Sequence, residues 1–240
     1  MKYVNIYSSS QTASFDGGLR DYLQLLYKNM GIALLTSGLA AFVVSSSPLL
    51  LRMLFSNGLV AMVVALAPLI FAVTSGLGKL SPSVSAEKMR TNLFIYSVLL
   101  GISLSSIFVV YTAQSVALAF LTTALSFAAM SLYGYRTKRD LSGLTSFLYM
   151  GLLGIIIASI VNLFLRSSMV EFFLSCAGVL LFVLLTAYDV QKLRSIYNEH
   201  AGAGPELIDK LAVRGALELY LDFVNLFLYL LRFFAKRRED

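Results

Sequence analysis

The sequence has few charged residues and few of the side chains that bind metals or form disulfides. Of its 240 residues only 13% are charged, with one cysteine, one histidine and no tryptophan. The single cysteine excludes a disulfide scaffold, and together with the lone histidine it leaves no zinc, haem or intramembrane serine-protease site. The sequence also lacks a Gly-x-x-x-x-Gly-Lys phosphate loop. We therefore expect no enzyme and no bound cofactor.

Most residues of the chain are apolar. Hydrophobic residues make up 58% of the chain, and the mean hydropathy is +0.79. A soluble domain contains about 25% charged residues, because polar groups must cover its surface. The net charge of +6 comes from short basic clusters between apolar stretches, which favours a lipid bilayer over nucleic acid as the partner. The pattern predicts an all-α integral membrane protein.

Charged and polar residues divide the chain into seven apolar stretches. The uncharged stretch from Thr91 to Tyr135 would be roughly 68 Å long as one helix, at ~1.5 Å per residue, which is more than twice the thickness of the hydrocarbon core. It must fold back, and the polar residues Thr112, Gln114 and Ser115 indicate the turn. The seven predicted spans are 30–51, 55–77, 92–111, 116–134, 141–165, 168–189 and 215–234.

Lys and Arg residues are unequally distributed around these spans. One side has thirteen (Lys2, Arg20, Lys28, Lys79, Lys88, Arg90, Arg136, Lys138, Arg139, Lys192, Arg194, Lys210, Arg214), and the other has two (Arg52, Arg166). Because basic residues stay in the cytoplasm, residues 1–28 are predicted to be a cytoplasmic N-terminal segment before a transmembrane domain over 29–236.

The last apolar segment does not fit this pattern. A full crossing places Arg232, Lys236, Arg237 and Arg238 outside the cytoplasm. Either this tail is an exception to the rule, or the segment is a re-entrant helix that returns to the cytoplasm. A helix over 215–234 is about 30 Å long, enough to cross, and we expect it to do so.

Charged residues within the spans are confined to the sixth and seventh. A charge at mid-bilayer costs at least ~2.5–3.5 kcal/mol, so such residues usually face a bundle interior or a watered cavity. Asp189 and Asp222 fall at similar depth on adjacent antiparallel helices. Glu218, Asp222 and Asn225 are spaced four and three apart, so they share one helix face. These residues are candidates for an ion pathway.

Two neighbouring carboxylates in an apolar setting cannot both ionise cheaply, so the pair is predicted to hold a proton and to titrate as a unit. Such a pair is a candidate proton sensor or cation site. The alternative is that Asp189 reaches the interface beside Lys192 and Arg194, and that Glu218 pairs with Arg214 four residues earlier.

Small residues on the third span predict close helix packing. Ser97, Gly101 and Ser105 are four residues apart and so lie in one row along the helix. Rows of small residues let two membrane helices approach closely and gain van der Waals contact. We therefore expect this row to face a neighbouring helix.

Four strings together resemble bacterial members of the Bax inhibitor family, the transmembrane Bax inhibitor motif proteins. The resemblance covers about residues 20–236, and the last string is long and specific. The strings are Gly101–Phe108 (GISLSSIF), Met130–Ser142 (MSLYGYRTKRDLS), Ala187–Lys192 (AYDVQK) and Gly215–Phe234 (GALELYLDFVNLFLYLLRFF).

The resemblance implies a fold of six helices around a central seventh, the C-terminal one. It also implies a passive, pH-sensitive Ca²⁺ leak, and it places the family's paired aspartates at Asp189 and Asp222. Some members latch this pair with an arginine near the second helix; here only Lys79 and Arg90 are candidates. Two alternatives stay open: a membrane regulator that acts through unidentified protein partners without transport, and a proton-coupled cation exchanger.

Overall fold

The computed structural model describes the backbone of residues 4–234 and the side chains of residues 17–234. These residues form an all-helical structure, which confirms the predicted class. The helices are α1 (Val4–Ser45), α2 (Pro48–Phe55), α3 (Gly58–Ser75), α4 (Ala86–Leu104), α5 (Ile107–Val110), α6 (Ala113–Arg136), α7 (Thr145–Leu165), α8 (Ser168–His200) and α9 (Pro205–Phe234), with a 3₁₀ turn at Ser142–Leu144.

Six segments in the described part of the chain are long and apolar enough to cross a membrane. They are Gly17–Ser45, Gly58–Ser75, Ala86–Val110, Ala113–Arg136, Ser142–Leu165 and Ser168–His200. The seventh predicted span is not among them, since Glu218, Asp222 and Arg232 lie within the apolar part of α9. The described residues therefore form an integral membrane protein with six apolar segments of spanning length and one long helix, α9, whose apolar part carries three charged residues.

The first helix differs from its predicted bounds of 30–51. Leu19, Tyr22 and Leu26 recur at helical spacing and are buried in the core, so the helix already packs against its neighbours well before residue 30. It ends at Ser45, because Pro48 starts the separate helix α2. The side chains of residues 1–16 lie outside the described residues, as do the basic tail residues Lys236, Arg237 and Arg238.

The fold-back in the long uncharged stretch lies at the polar break. Helix α6 begins after Thr112, whose side chain accepts a hydrogen bond from the backbone N–H of Ser115 as an N-cap. Helix α4 already ends at Leu104 instead of residue 111, and the short helix α5 makes the rest of that crossing. Helix α3 has Gly76 as its C-cap, and this residue adopts the left-handed φ of +63° that glycine tolerates best.

The two helices that carry the charged candidates are longer than predicted. Helix α8 continues from residue 189 to His200 because Leu193 and Tyr197 are buried and extend its packed face. Helix α9 begins at Pro205, ten residues before the predicted start, and its first turns bury Leu211 and Ala212. Proline suits the first turn of a helix, where its missing N–H has no partner to lose.

Helix α9 is the most enclosed helix in the described structure. It packs against α1, α4, α6 and α8, and most of its residues from Lys210 to Leu231 are buried. Tyr220 is fully buried at the crossing with α1 and α4, where its hydroxyl lies 2.6 Å from Ser37 Oγ. Ser37 also lies 3.0 Å from the carbonyl oxygen of Ser97. Hydroxyl hydrogen bonds thus join three helices at one level.

The predicted row of small residues on α4 faces a helix. Ser97 and Ser105 have no exposed surface, and Gly101 is buried. A Cβ atom added at Gly101 would overlap the carbonyl oxygen of Ser37 on α1. The packing prediction is therefore confirmed, and α1 is the helix that the row contacts.

Candidate functional site

Asp189 of α8 and Asp222 of α9 face each other inside the helix bundle. The two residues are 9% and 6% exposed, and their carboxyl groups lie close enough to interact electrostatically. Two neighbouring carboxyl groups in an apolar setting cannot both ionise cheaply. The structure thus places close together the two aspartates that the sequence singled out.

Lys192 joins this pair to a third carboxylate. Its Nζ atom lies 3.3 Å from Asp189 Oδ1 and 2.9 Å from Glu218 Oε2. Lys192 follows Asp189 by one helical turn, and Glu218 precedes Asp222 by one turn. Because α8 and α9 run antiparallel, these two residues meet at the same level. Arg214 Nε then lies 3.2 Å from Glu218 Oε1 and ends the chain of ion pairs.

One oxygen of the aspartate pair has no further partner. Asp222 Oδ2 is buried and accepts no hydrogen bond from a donor among the described residues. A buried carboxylate oxygen without a donor is destabilised by desolvation by about 1–3 kcal/mol, and more if it is charged. An ionised Asp222 is therefore costly in this arrangement.

The alternative interpretations of Asp189 and Glu218 hold in part. Asp189 does pair with Lys192, but it is buried, and Arg194 donates instead to the carbonyl oxygen of Tyr135. Glu218 pairs with Arg214 as expected and also binds Lys192, which sequence reasoning missed. No spacing in the sequence signals that bridge, because Lys192 and Glu218 lie on different helices.

The remaining support candidates do not reach the aspartate pair. Asn225 donates from Nδ2 to the carbonyl oxygen of Leu221 in its own helix. Arg90 NH2 lies 3.6 Å from Asp209 at the start of α9, about 20 Å along the helix from Asp222 at ~1.5 Å per residue. Lys79 forms no ion pair within residues 17–234. Lys192 is the cation that contacts the pair in this structure.

The donor set does not match a resident Ca²⁺ site. Ca²⁺ takes six to eight oxygen ligands, whereas no group of three or more His, Cys, Asp or Glu side chains is arranged around a common centre in the described structure. The Lys192 ammonium group also occupies the side of Asp189 that faces Glu218. Asp189 and Asp222 therefore contribute too few free oxygens to hold Ca²⁺ by themselves, and Ca²⁺ is considered below only as a transported ion.

We expect Lys192 and Glu218 to be energetically coupled. Lys192→Met and Glu218→Gln should each lower the free energy of unfolding, because each leaves a partly buried charge without its partner. The double variant should lose less than the two single changes together, with a coupling energy of about 0.5–3 kcal/mol. Denaturant unfolding of the four proteins in detergent measures this quantity.

Arg90 and Asp209 supply the matched control for this cycle. Their side chains are 41% and 43% exposed, and an exposed ion pair contributes about 0–1 kcal/mol. A coupling energy for Lys192 and Glu218 no larger than that of Arg90→Gln with Asp209→Asn would contradict the bridging role.

Comparison with known proteins identifies the family of the chain. The family described as inhibitor of apoptosis-promoting Bax1 matches residues 19–239 of the chain. The chain belongs to the Bax inhibitor family. The match includes all residues of the site described above.

Several bacterial proteins resemble this Bax inhibitor family member over nearly their whole length. The inner membrane protein YbhL of Escherichia coli K12 is 43% identical over 221 residues, which cover 92% of this chain and 94% of the relative. The protein RP147 of Rickettsia prowazekii is 40% identical over 233 residues, or 97% and 96% of the two chains. A Borreliella burgdorferi protein is 43% identical over 222 residues, or 91% and 93%.

Proposed function

We propose that this protein is a passive, pH-sensitive cation leak of the Bax inhibitor type, with Ca²⁺ as the transported ion and with no enzymatic activity. The observation that carries the proposal is the burial of Asp189 and Asp222 close to each other on two adjacent helices. Burying two carboxyl groups is unfavourable in a membrane protein, and ionisable residues at such depth generally mark ion or proton pathways.

The pair can couple proton binding to helix packing. With one shared proton, the two carboxyl groups hold α8 and α9 together. With both carboxyls ionised, the like charges repel, and the helices favour a different packing. Protonation thus selects between two arrangements of the same helices, which is the general form of a pH-driven switch.

Cavities lie against α9 on both sides of the aspartate level. A cavity of about 150 Å³ near the start of α4 is lined by Arg214 and Leu217. A second cavity, of about 340 Å³, is lined by Phe223 and Val224. The stretch of α9 between these cavities contains Glu218 and Asp222. This arrangement supports a path in which the aspartate pair is the barrier.

We further propose that α9 crosses the bilayer as a central seventh helix, and that the N-terminus is cytoplasmic in the bacterial inner membrane. Neighbouring helices on several sides and an apolar length of about 30 Å over residues 215–234 support the crossing. The excess of Lys and Arg at alternate connections supports the orientation. The name of the Escherichia coli relative, an inner membrane protein, supports the location in the inner membrane.

Cysteine labelling tests this topology, in a Cys176→Ser background that removes the native thiol. An impermeant maleimide should reach Ser56→Cys and Phe234→Cys in intact cells, and Gly202→Cys only after permeabilisation. All three positions are exposed. Labelling of Gly202→Cys from outside would reverse the orientation, and labelling of Phe234→Cys only after permeabilisation would make α9 re-entrant.

Purified protein in liposomes tests the leak itself. With a Ca²⁺ indicator inside and equal pH on both sides, Ca²⁺ should enter down its own gradient, at a rate that changes between about pH 5 and 8, where a buried carboxyl pair titrates. A passive leak needs no proton gradient. Flux only when an opposing pH gradient is imposed would identify an exchanger, and no flux under either condition would favour a regulator that acts without transport.

A further inference from the structure

Two neighbouring cavities lie between α1 and α4 on the outside of the helix bundle; they share Phe94 in their linings and are together called the groove. Its first part, about 420 Å³, is lined by Asn29, Glu87, Arg90 and Thr91 together with apolar side chains that include Phe94. Its second part, about 450 Å³, is apolar apart from Thr36, continues toward Val44 and Ile102, and also contains Phe94. The groove is thus polar at one end and apolar along the rest of its length.

The polar end contains hydrogen-bonding groups without partners. Asn29 is 5% exposed, and its Nδ2 atom has no hydrogen-bond partner among the described residues. The Nε atom of Arg90 is also buried and unpaired within that part of the chain. Asn29 and Arg90 both line this end of the groove. Buried donors normally have a partner, so these two unsatisfied donors favour a ligand that accepts hydrogen bonds at this end.

The charges at this end have both signs. Arg90 interacts with Asp209 at 3.6 Å, near the limit for an ion pair, and Glu87 forms no ion pair within residues 17–234. Arg90 and Glu87 lie three residues apart and therefore on the same face of α4. A phosphate near Arg90 and Asn29, with an ammonium group near Glu87, would satisfy both charges. A headgroup with a net negative charge would instead be repelled by Glu87.

The length of the groove matches one leaflet of a bilayer. From Asn29 to Val44 the helix rises about 22 Å at ~1.5 Å per residue. Half of a bilayer with its headgroups is about 20–22 Å thick. The polar end lies where α4 begins, next to the headgroup level, and Phe94 lies one turn deeper.

We propose that this groove binds a phospholipid with a zwitterionic phosphate–ammonium headgroup, of the phosphatidylethanolamine type. The phosphate accepts hydrogen bonds from Asn29 and Arg90, the ammonium group donates to Glu87, and an acyl chain lies along α1 and α4 past Phe94. This site is separate from the aspartate pair and does not depend on the leak function.

The absence of tryptophan from the chain permits a direct test. Phe94→Trp places a single fluorophore in the groove, and brominated acyl chains quench tryptophan on contact. The protein in detergent micelles is titrated with brominated phosphatidylethanolamine and, separately, with brominated phosphatidylglycerol, which lacks the ammonium group. We expect saturable quenching at lower concentrations of phosphatidylethanolamine.

Two variants in the Phe94→Trp background assign the contacts. Arg90→Gln should weaken the binding of both lipids, whereas Glu87→Gln should weaken only phosphatidylethanolamine binding, each by about twofold to fivefold. Arg136→Gln, an exposed arginine at the end of α6, should change neither. Phe147→Trp, which is 62% exposed on α7, should be quenched equally by both lipids. Size-exclusion elution and circular dichroism verify that each variant is folded.

Three outcomes would overturn the proposal. Equal quenching of Phe94→Trp by the two lipids would remove the headgroup preference. Unchanged binding in folded Arg90→Gln and Glu87→Gln proteins would place the lipid elsewhere. Loss of quenching on addition of inorganic phosphate would show that the polar end takes a free anion instead of a lipid headgroup.

Discussion

Gly101→Leu should be strongly destabilising. A Cβ atom at this position already overlaps the carbonyl oxygen of Ser37, and it would also lie 2.9 Å from the Cβ atom of Ala40. Leucine must therefore push α4 away from α1 and separate the Ser37–Tyr220 contact next to it. We expect a loss of about 3 kcal/mol or more, or no folded protein, measured by thermal unfolding in detergent.

Gly154→Leu is the matched control for this change. Gly154 lies in the middle of α7, is exposed, and has no heavy atom within 4 Å of an added Cβ. The same substitution there should leave the unfolding temperature nearly unchanged, because leucine is accommodated by lipid. Equal stability of the two variants would mean that α1 and α4 are not in close contact.

The second large effect is expected at Asp222. Asp222→Asn keeps the volume and the hydrogen-bonding capacity of the side chain but removes its titration. The pH dependence of Ca²⁺ flux into liposomes should therefore flatten between about pH 5 and 8, while the protein stays folded. Asp189→Asn should act in the same way, because a shared proton needs both carboxyl groups.

Asp140 provides the control for the Asp222 experiment. Hydrogen bonds from the backbone N–H and the hydroxyl group of Ser142 hold the pKa of this exposed carboxyl below its usual value. Asp140 is therefore ionised throughout the range in which flux is measured. Asp140→Asn should leave the pH profile unchanged, and a flattening as large as that of Asp222→Asn would show that any lost carboxyl has this effect.

The sequence predicts the all-helical class, most of the spans and both aspartates because each depends on local information. A stretch of about 20 apolar residues between charged residues must cross the membrane whatever its neighbours are. Asp189 and Asp222 stand out because a charge in an apolar segment needs compensation. The need for a fold-back follows from the length of the uncharged stretch, and the polar residues Thr112 and Ser115 place it.

Helix boundaries and side-chain partners were harder to predict because they depend on tertiary contacts. Leu19 and Tyr22 extend α1 only because other helices cover them. The bridge from Lys192 to Glu218 forms because α8 and α9 are antiparallel and in register, which one sequence does not specify. The latch candidate Arg90 lies one turn into α4 and contacts Asp209, which is about 20 Å along α9 from Asp222 at ~1.5 Å per residue. This separation depends on how the helices pack.

The most direct test of the central claim is the pH profile of Ca²⁺ flux in liposomes that contain either the wild-type protein or the double variant Asp189→Asn with Asp222→Asn. Both are measured with equal pH inside and outside, from about pH 5 to 8. The account predicts a flux that changes with pH for the wild type and a flat profile for the folded double variant. A wild-type flux without pH response, or a double variant that keeps the wild-type profile, would contradict gating by the aspartate pair.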